Sequence, residues 1–279
     1  MCFMQHGYQQ RRNCLNIMET PNSYSTIVLP ILRRVREMLL PHYGAVLSKK
    51  KTSVREHDFV TEHDVSVEKY LKDELARAYP DIPFVGEETG GARNMSRFWL
   101  VDPIDGTDHF IRGMPFCTAM IALIEDSAVV FSAIYDFVGD IMYRAEKGAG
   151  AFANEKPIRV NSRPLNGCRL TVDAHLDTTE NVKRFLRLFK KCSIFDTGAS
   201  GFAFSMVASG KLDGRLCFGG GGRDYDYAPG SLLVSEAGGI VANIGKRNYD
   251  YRDLNFIAAN PRIFTSLTEG KDAIFPITE

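Results

Sequence analysis

The chain has 279 residues, of which 44% are hydrophobic and 24% charged, and its 34 basic side chains are balanced by 34 acidic ones. This composition is typical of a globular protein with one large domain or two that share a core. Proteins that bind nucleic acid usually carry a basic excess. Its absence argues against nucleic acid as a partner.

The sequence also argues against a membrane or a secreted protein. No stretch approaches the roughly 20 apolar residues that span a bilayer. Residues 1–20 lack the apolar core of a secretory signal, which predicts a flexible extension with Met18 as an alternative start. The six cysteines are scattered without a C-x-x-C pair, a pattern typical of reduced thiols. We therefore predict a cytoplasmic protein.

Two helices are predicted before residue 80. Apolar periodicity over 23–40 predicts the first, with Pro30 setting or kinking its first turns. Asp64 is the expected N-cap of the second helix, which ends at Pro80. The polar residues 48–64 predict a loop or an exposed hairpin.

Short apolar runs predict strands in both halves of the chain, which divide at 21–165 and 166–279. Residues 116–152 are rich in strand patterns and indicate an antiparallel meander. After Cys168, strands alternate with helices, which favours sheets covered by helices on both faces. The other predicted strands are Ile82–Val85, Phe98–Val101, Arg169–Asp173, Ser193–Asp196, Gly214–Phe218, Gly239–Ala242 and Leu254–Ala258. The predicted helices of the second half are Thr179–Lys190, Gly198–Ala208 and Asp226–Ala237.

Two aspartates follow a predicted buried strand in the sequence Asp102-Pro-Ile-Asp105-Gly106-Thr107. A strand that ends in a sharp turn and opens a short helix points backbone N–H groups outward, and such groups bind phosphate. The two carboxylates would repel phosphate unless cations lay between them, and hard oxygen ligands suit Mg²⁺. The motif alone is also a common Asp-capped turn, so the surrounding sequence decides its meaning.

Three further segments accompany this motif: Asp64 after Val-Thr-Glu-His, the run Gly86-Glu87-Glu88, and DYDYAPGSLLVSEAGG at 224–239. In this order they resemble the inositol monophosphatase family of Mg²⁺-dependent, lithium-sensitive phosphomonoesterases, over about residues 22–265. The resemblance implies an α+β fold built as a layered α-β-α-β-α sandwich. It also implies a homodimer.

The resemblance further implies two or three Mg²⁺ ions and the residues around them. Asp102 would bridge the first two ions. The implied metal ligands are Glu87, Asp102, the carbonyl of Ile104, Asp105 and Asp226. The implied catalytic residues are Glu87 and Thr107, which would orient the attacking water, and Asp64, which would hold water on the metal. The implied substrate-binding residues are Gly106, Thr107, Asp105, Asp226 and a wall formed by Gly198, Ala199 and Ser200.

The implied reaction is direct hydrolysis of a small phosphomonoester by metal-activated water, without a phosphoenzyme. Inositol monophosphate is the first expected substrate, and fructose 1,6-bisphosphate, adenosine 3′,5′-bisphosphate and histidinol phosphate remain alternatives. A non-catalytic regulatory scaffold would be expected to have lost a metal carboxylate, and none is lost. A calcium-binding structural protein would show a contiguous oxygen-rich loop, whereas these ligands are dispersed.

The segment LCFGGGGRDYD at 216–226 departs from the family pattern. Inositol-specific relatives carry a glutamate about seven residues before the last metal aspartate, and glycines stand here instead. The glycines either form a flexible loop or make room for a bulkier substrate. Arg223 either contacts a second phosphate, which its planar fork suits, or is solvated or paired with Asp224. Three further features depart from the family pattern or remain to be placed. Tyr225 stands where Trp is usual, and His109, where many relatives have Asn, is interpreted as a packing residue. One of Lys49–Lys51 is a candidate loop lysine.

Overall fold

The structure, a computed structural model, describes residues 23–45, 49–50 and 59–279. The predicted N-terminal extension and the side chains of Lys49–Lys51 lie outside these residues. Within them, none of the helices combines the length and the apolar character needed to cross a bilayer.

Helices α1 (Ser25–Leu39) and α2 (Glu62–Ala78) form the first layer of the fold. Two short strands, β1 (Lys49–Lys50) and β2 (Phe59–Val60), pair antiparallel between them. This pairing agrees with the hairpin interpretation of the polar segment. The apolar faces of α1 and α2 share one cluster of buried residues, which includes Leu32, Leu71 and Trp99.

The start of α2 corrects the prediction that Asp64 caps this helix. Thr61 is the N-cap, and its hydroxyl accepts hydrogen bonds from the N–H groups of His63 and Asp64. The Asp64 carboxylate in turn accepts the backbone N–H of Thr61 at 2.7 Å, which completes a capping box. Threonine and aspartate are both good N-caps. Residue type alone therefore did not show whether the helix begins after Thr61 or after Asp64.

A seven-stranded sheet forms the second layer. Its strands are β3 (Phe84–Gly86), β4 (Arg97–Asp105), β5 (Thr118–Glu125), β6 (Ala128–Asp136), β7 (Ile141–Glu146), β8 (Gly150–Ala153) and β9 (Lys156–Pro157). They are neighbours in chain order; β3 and β4 are parallel, and every later pair is antiparallel. The predicted meander is confirmed.

A five-stranded sheet forms the fourth layer. Its strands are β10 (Arg169–Ala174), β11 (Ser193–Ile194), β12 (Gly214–Phe218), β13 (Ile240–Asn243) and β14 (Phe256–Ala259). The order is β11-β10-β12-β14-β13; the first three are parallel, and β14 is antiparallel to both neighbours. The strands of the two sheets thus lie on either side of residue 165, and the division into two halves stays an interpretation.

The remaining helices are α3 (Thr107–Arg112), α4 (Thr179–Phe189), α5 (Ser200–Ala208), α6 (Asp224–Glu236) and α7 (Pro261–Thr268). Helices α5 and α6 lie between the two sheets, in a cluster that joins Met120 of β5 to Phe204, Leu233 and Phe256. Helices α4 and α7 cover the outer face of the second sheet. The expected α-β-α-β-α sandwich is confirmed, and α7 is a helix that the sequence pattern did not predict.

The central helices are buried on nearly all sides, which explains their small residues. A side chain on Gly230 of α6 would overlap the ring of Phe204 on α5. A helix that is covered all round has no need of a polar face. This packing places the N-termini of α5 and α6 next to the end of β4.

Candidate metal centre

Asp102 and Asp105 lie at the end of β4, where its pairing with β5 shifts. Asp102 pairs with Met120 and Asp105 with Thr118, so three steps along β4 match two along β5. Side chains three residues apart on a regular strand point to opposite faces. The extra residue forms a β-bulge that turns both carboxylates to one side. Ligand oxygens of Asp102, Asp105 and Asp226 consequently lie within 4.8 Å of one another.

Asp226 reaches the cluster from the first turn of α6. Its Oδ2 accepts the backbone N–H of Arg223, the N-cap of that helix. A side chain on Gly222 would lie 2.5 Å from the same oxygen. The glycine therefore lets the backbone close around Asp226.

The cluster is anionic and largely buried, with Asp226 half-buried. Asp102 is 1% exposed and Asp105 is 6% exposed. Burial, followed by the negative charges of Glu87, Asp105 and Asp226, raises the pKa of Asp102 well above its usual range. Burial and the charges of Glu87 and Asp105 raise the pKa of Asp226 in the same way.

The donor set fits a divalent cation. Oδ1 of Asp102 is buried and has no hydrogen-bond partner within the described part of the chain. A buried carboxylate oxygen among like charges is costly unless a cation compensates it. Carboxylate oxygens are the ligands that Mg²⁺ and Ca²⁺ prefer. The residues present therefore fit such an ion.

Glu87 lies beside this cluster, directly after β3. Its backbone N–H donates to the carbonyl of Val101 at 3.1 Å, and the negative charge of its carboxylate helps to raise the pKa of Asp102. The next turn is held by Glu68 of α2, a fully buried carboxylate that accepts the N–H groups of Glu88 and Thr89 at 2.7 and 2.8 Å. Sequence reasoning missed this role of Glu68. The available signal was an acidic residue on the apolar face of α2, one turn after Asp64.

Thr107 lies between the carbonyl of Ile104 and Asp64. Its hydroxyl is 2.9 Å from Ile104 O and 2.9 Å from Asp64 Oδ1. Asp64 is fully buried, and its other oxygen accepts the hydroxyl of Thr61 at 2.6 Å. The structure thus brings two of the predicted catalytic residues into direct contact.

Gly106 makes the turn between β4 and α3. Its φ is +83°, in the region that favours glycine. A Cβ at this position would lie 2.5 Å from the carbonyl oxygen of Phe116. Both the backbone angle and the space require glycine next to Thr107.

The predicted substrate wall, Gly198-Ala199-Ser200, leads into α5 and contacts Asp105. The N–H groups of Ser200 and Gly201 each donate to the Asp105 carboxylate at 2.8 Å, and the Thr118 hydroxyl donates at 3.0 Å. Burial raises the pKa of Asp105, and the hydrogen bonds from Ser200 and Gly201 oppose that rise. The wall therefore holds Asp105 in place.

His109 packs against this wall. Its Nε2 lies 2.9 Å from the carbonyl oxygen of Thr197. A side chain on Gly198, whose φ is +60°, would come within 2.5 Å of the same nitrogen. These contacts agree with the interpretation of His109 as a packing residue.

The glycine run is not simply an open loop. Gly221 and Gly222 are buried, and a side chain on Gly221 would overlap the carboxylate of Asp173. The hydroxyl of Tyr227 donates to Asp173 at 2.9 Å and accepts the N–H of Gly222. These two glycines allow the backbone to approach a buried tyrosine and an aspartate.

Of the alternatives for Arg223, its exposed side chain agrees with a solvated residue, and pairing with Asp224 is not found among the described ion pairs. Asp224 forms an ion pair with Arg93, which is 131 residues distant in the chain. The side chain of Arg223 is exposed. Tyr225 is half-buried, and burial and the charges of Glu87, Asp226 and Asp102 raise its pKa, so its ring lies beside the cluster.

Comparison with known proteins identifies the family of the chain. Residues 23–271 match the model of the inositol monophosphatase family. The chain belongs to this family. It is 32% identical to the Nus factor SuhB of Xylella fastidiosa over 235 residues, which cover 78% of this chain and 80% of that protein.

Other members of the inositol monophosphatase family have a comparable sequence identity to this chain. A fructose-1,6-bisphosphatase/inositol-1-monophosphatase of Thermotoga maritima is 30% identical over 236 residues, which cover 83% of this chain and 89% of that protein. The solved structure of an IMPase from Thermotoga maritima superposes with a TM-score of 0.78 at 30% identity. It covers 86% of this chain and 93% of its own.

Proposed function

We propose that this protein is a Mg²⁺-dependent phosphomonoesterase that releases inorganic phosphate from a small, inositol monophosphate-like ester. The observation that carries the proposal is the cluster of buried Asp102 and Asp105 with half-buried Asp226, in which Oδ1 of Asp102 has no hydrogen-bond partner among the described residues. Membership of the inositol monophosphatase family supports the same chemistry. We also propose that the enzyme acts in the cytoplasm.

The proposal assigns two or three Mg²⁺ ions to this centre. When bound, they would make water more acidic and stabilise the leaving oxygen. By family resemblance, Li⁺ would inhibit at the position of Asp105 and Asp226. The proposed ligands are Glu87, Asp102, the carbonyl of Ile104, Asp105 and Asp226.

Thr107, Asp64 and Glu87 position the attacking water in this proposal. The Thr107 hydroxyl has a single proton, which it donates to Asp64 or Ile104, and its lone pairs accept a hydrogen bond from water. Asp64 is held by Thr61 and so fixes the direction of that hydroxyl. Gly106 and Thr107 offer their N–H groups to the phosphate.

A regulatory role is the second candidate function. It is suggested by relatives that carry the name Nus factor SuhB. The presence of every carboxylate of the proposed ligand set favours catalysis over a scaffold that has lost its chemistry. The Thermotoga maritima relative is named a fructose-1,6-bisphosphatase/inositol-1-monophosphatase. Fructose 1,6-bisphosphate is therefore one of the substrates to test.

A phosphate-release assay tests the proposal. The panel is inositol 1-phosphate, fructose 1,6-bisphosphate, adenosine 3′,5′-bisphosphate and histidinol phosphate. We expect turnover that needs Mg²⁺, stops with a chelator, and is lost in Asp102→Asn and Asp226→Asn. Asp81→Asn, at an exposed carboxylate, is the matched control. Full turnover in excess chelator, or folded protein that is inactive on the whole panel, would contradict the proposal.

The homodimer is also part of the proposal. Helix α4 leaves Val182, Leu186 and Phe189 at the surface, and Phe189 is 62% exposed. Exposed apolar patches of this kind are typical of association surfaces. Light scattering should show a dimer, and Phe189→Glu should shift it toward a monomer while Lys190→Glu should not. A monomeric wild-type protein would contradict this part.

A further inference from the structure

Arg215 is a buried arginine behind the metal centre. It lies on β12 and is 4% exposed. Its Nη2 donates to the Ser200 hydroxyl at 2.9 Å. The guanidinium carbon lies 5.2 Å from the ring centroid of Phe204 and 5.5 Å from that of Tyr227. This side chain is thus enclosed between two aromatic rings and the start of α5.

The buried charge of Arg215 has no direct counter-ion among residues 23–45, 49–50 and 59–279. The ion pairs found there do not include it, and its Nε has no hydrogen-bond partner. Arginine keeps its proton in proteins. A buried cation is costly without anions nearby, so the source of compensation must be found in its surroundings.

The metal-site aspartates are held by residues that contact Arg215. Strand β12 points Leu216 and Phe218 toward the outer helices and Cys217 toward α5 and α6. The alternation of a strand places Arg215 on the inner face with Cys217. Ser200, which accepts from the guanidinium, donates its N–H to Asp105, and Tyr227, whose ring stacks on the guanidinium, directly follows Asp226 in α6.

A hydrogen-bonded chain joins Arg215 to Asp105. Ser200 accepts from Arg215 through its hydroxyl and donates to Asp105 through its backbone N–H. The same residue therefore receives the guanidinium on one side and holds a proposed metal ligand on the other. The arginine acts on this ligand both through its charge and through Ser200.

We propose that Arg215 is a positioning residue that offsets part of the negative charge of Asp105 and Asp226, stabilises the metal-free site, and weakens the binding of the cation that these two residues hold. The inference rests on the proposed metal centre. A permanent positive charge behind two ligands reduces their attraction for a second cation. It also reduces the repulsion between the ligands when the cation leaves.

Mg²⁺ binding measured by calorimetry without substrate, together with thermal unfolding in a chelator, tests this role. Arg215→Gln removes the charge and keeps a donor for Ser200, whereas Arg215→Lys keeps the charge. Arg144→Met is the control, because Arg144 also stacks on a ring, that of Phe152, and lies on another sheet. If Arg215→Gln does not fold, Arg215→Met takes its place.

We expect Arg215→Gln to bind the Mg²⁺ of Asp105 and Asp226 about tenfold more tightly, or about 1.4 kcal/mol, and to unfold at a lower temperature in the chelator. Arg215→Lys should keep the wild-type affinity, and Arg144→Met should lose only thermal stability. Wild-type affinity in folded Arg215→Gln, or equal changes in the Gln and Lys variants, would overturn the role of the charge. Wild-type protein that binds no Mg²⁺ would overturn the metal centre itself.

Discussion

The hydroxyl of Thr107 lies 2.9 Å from Oδ1 of Asp64, and Oδ2 of the same carboxylate accepts both the N–H and the hydroxyl of Thr61. One buried carboxylate thus connects the first turn of α2 to the first turn of α3. The residue proposed to position the attacking water is therefore fixed by the cap of a different helix.

The Thr107 hydroxyl should matter chiefly for turnover. We expect Thr107→Ala to lower kcat by roughly 10²–10⁴-fold with a much smaller change in KM, because the contact acts mostly in the transition state. Thr107→Ser keeps the oxygen and should retain most of the activity. Steady-state kinetics on the best substrate measures both. An unchanged kcat in Thr107→Ala would show that other groups position the water.

The cap of α2 should affect catalysis as well as stability. We expect Thr61→Ala to cost about 1 kcal/mol of unfolding free energy and to lower kcat. The Thr61 hydroxyl donates to the Asp64 carboxylate and accepts the Asp64 N–H, and both contacts are lost. Thr178 caps α4 through the N–H of Asn181 and is the matched control. Thr178→Ala should lose similar stability in a denaturant titration without losing kcat. Equal kinetic effects in the two variants would refute the connection.

The metal-free site should destabilise the fold as the pH rises. Burial and neighbouring charges raise the pKa of Asp102 and Asp226, so the folded state holds more protons than the unfolded chain above the usual carboxylate pKa. Stability then falls with rising pH through that window. In a chelator at pH 7, we expect Asp102→Asn to melt at a higher temperature than the wild type, with a flatter pH dependence.

Mg²⁺ should reverse this order. It should raise the melting temperature of the wild type more than that of Asp102→Asn, because binding to the folded state adds stability. Asp81→Asn should follow the wild type throughout. An Asp102→Asn variant that is less stable than the wild type in the chelator would show that the carboxylate is not under electrostatic strain.

The turn at Gly106 should tolerate no side chain. We expect Gly106→Ala to lose about 1–3 kcal/mol of stability and nearly all activity, because its φ is positive and its Cβ would meet the Phe116 carbonyl. Gly148 has a φ of +80° and nothing within 4 Å of an added Cβ. Gly148→Ala therefore measures the cost of the positive φ alone. If a denaturant titration gives Gly106→Ala and Gly148→Ala the same loss of stability, the overlap with the Phe116 carbonyl is not significant.

Arg223 should distinguish bisphosphates from monophosphates. Its exposed side chain follows the glycine run, and Asp224, one of the partners considered for it, is bound by Arg93. We expect Arg223→Ala to lower kcat/KM for fructose 1,6-bisphosphate or adenosine 3′,5′-bisphosphate and to leave inositol 1-phosphate unchanged. Arg252→Ala, at an exposed arginine paired with Asp250, is the control. Strong preference for inositol 1-phosphate in both proteins would exclude a second phosphate at Arg223.

The amino-acid sequence by itself determined the family and most of the elements. Periodicity and short motifs depend on neighbouring residues, so the meander, the layered architecture and the motif around Asp102 were accessible without coordinates. Boundaries were less certain: α2 begins after Thr61 and not after Asp64, and β4 runs to Asp105.

Only the tertiary structure decided how distant residues meet. The bulge between β4 and β5 brings Asp102 and Asp105 to one side, and it depends on the register of two strands. The role of Glu68, the pairing of Arg93 with Asp224, and the enclosure of Arg215 between Phe204 and Tyr227 join segments far apart in the chain. Burial then changes the chemistry, because the same carboxylates that would be ordinary surface acids repel one another strongly when water is excluded.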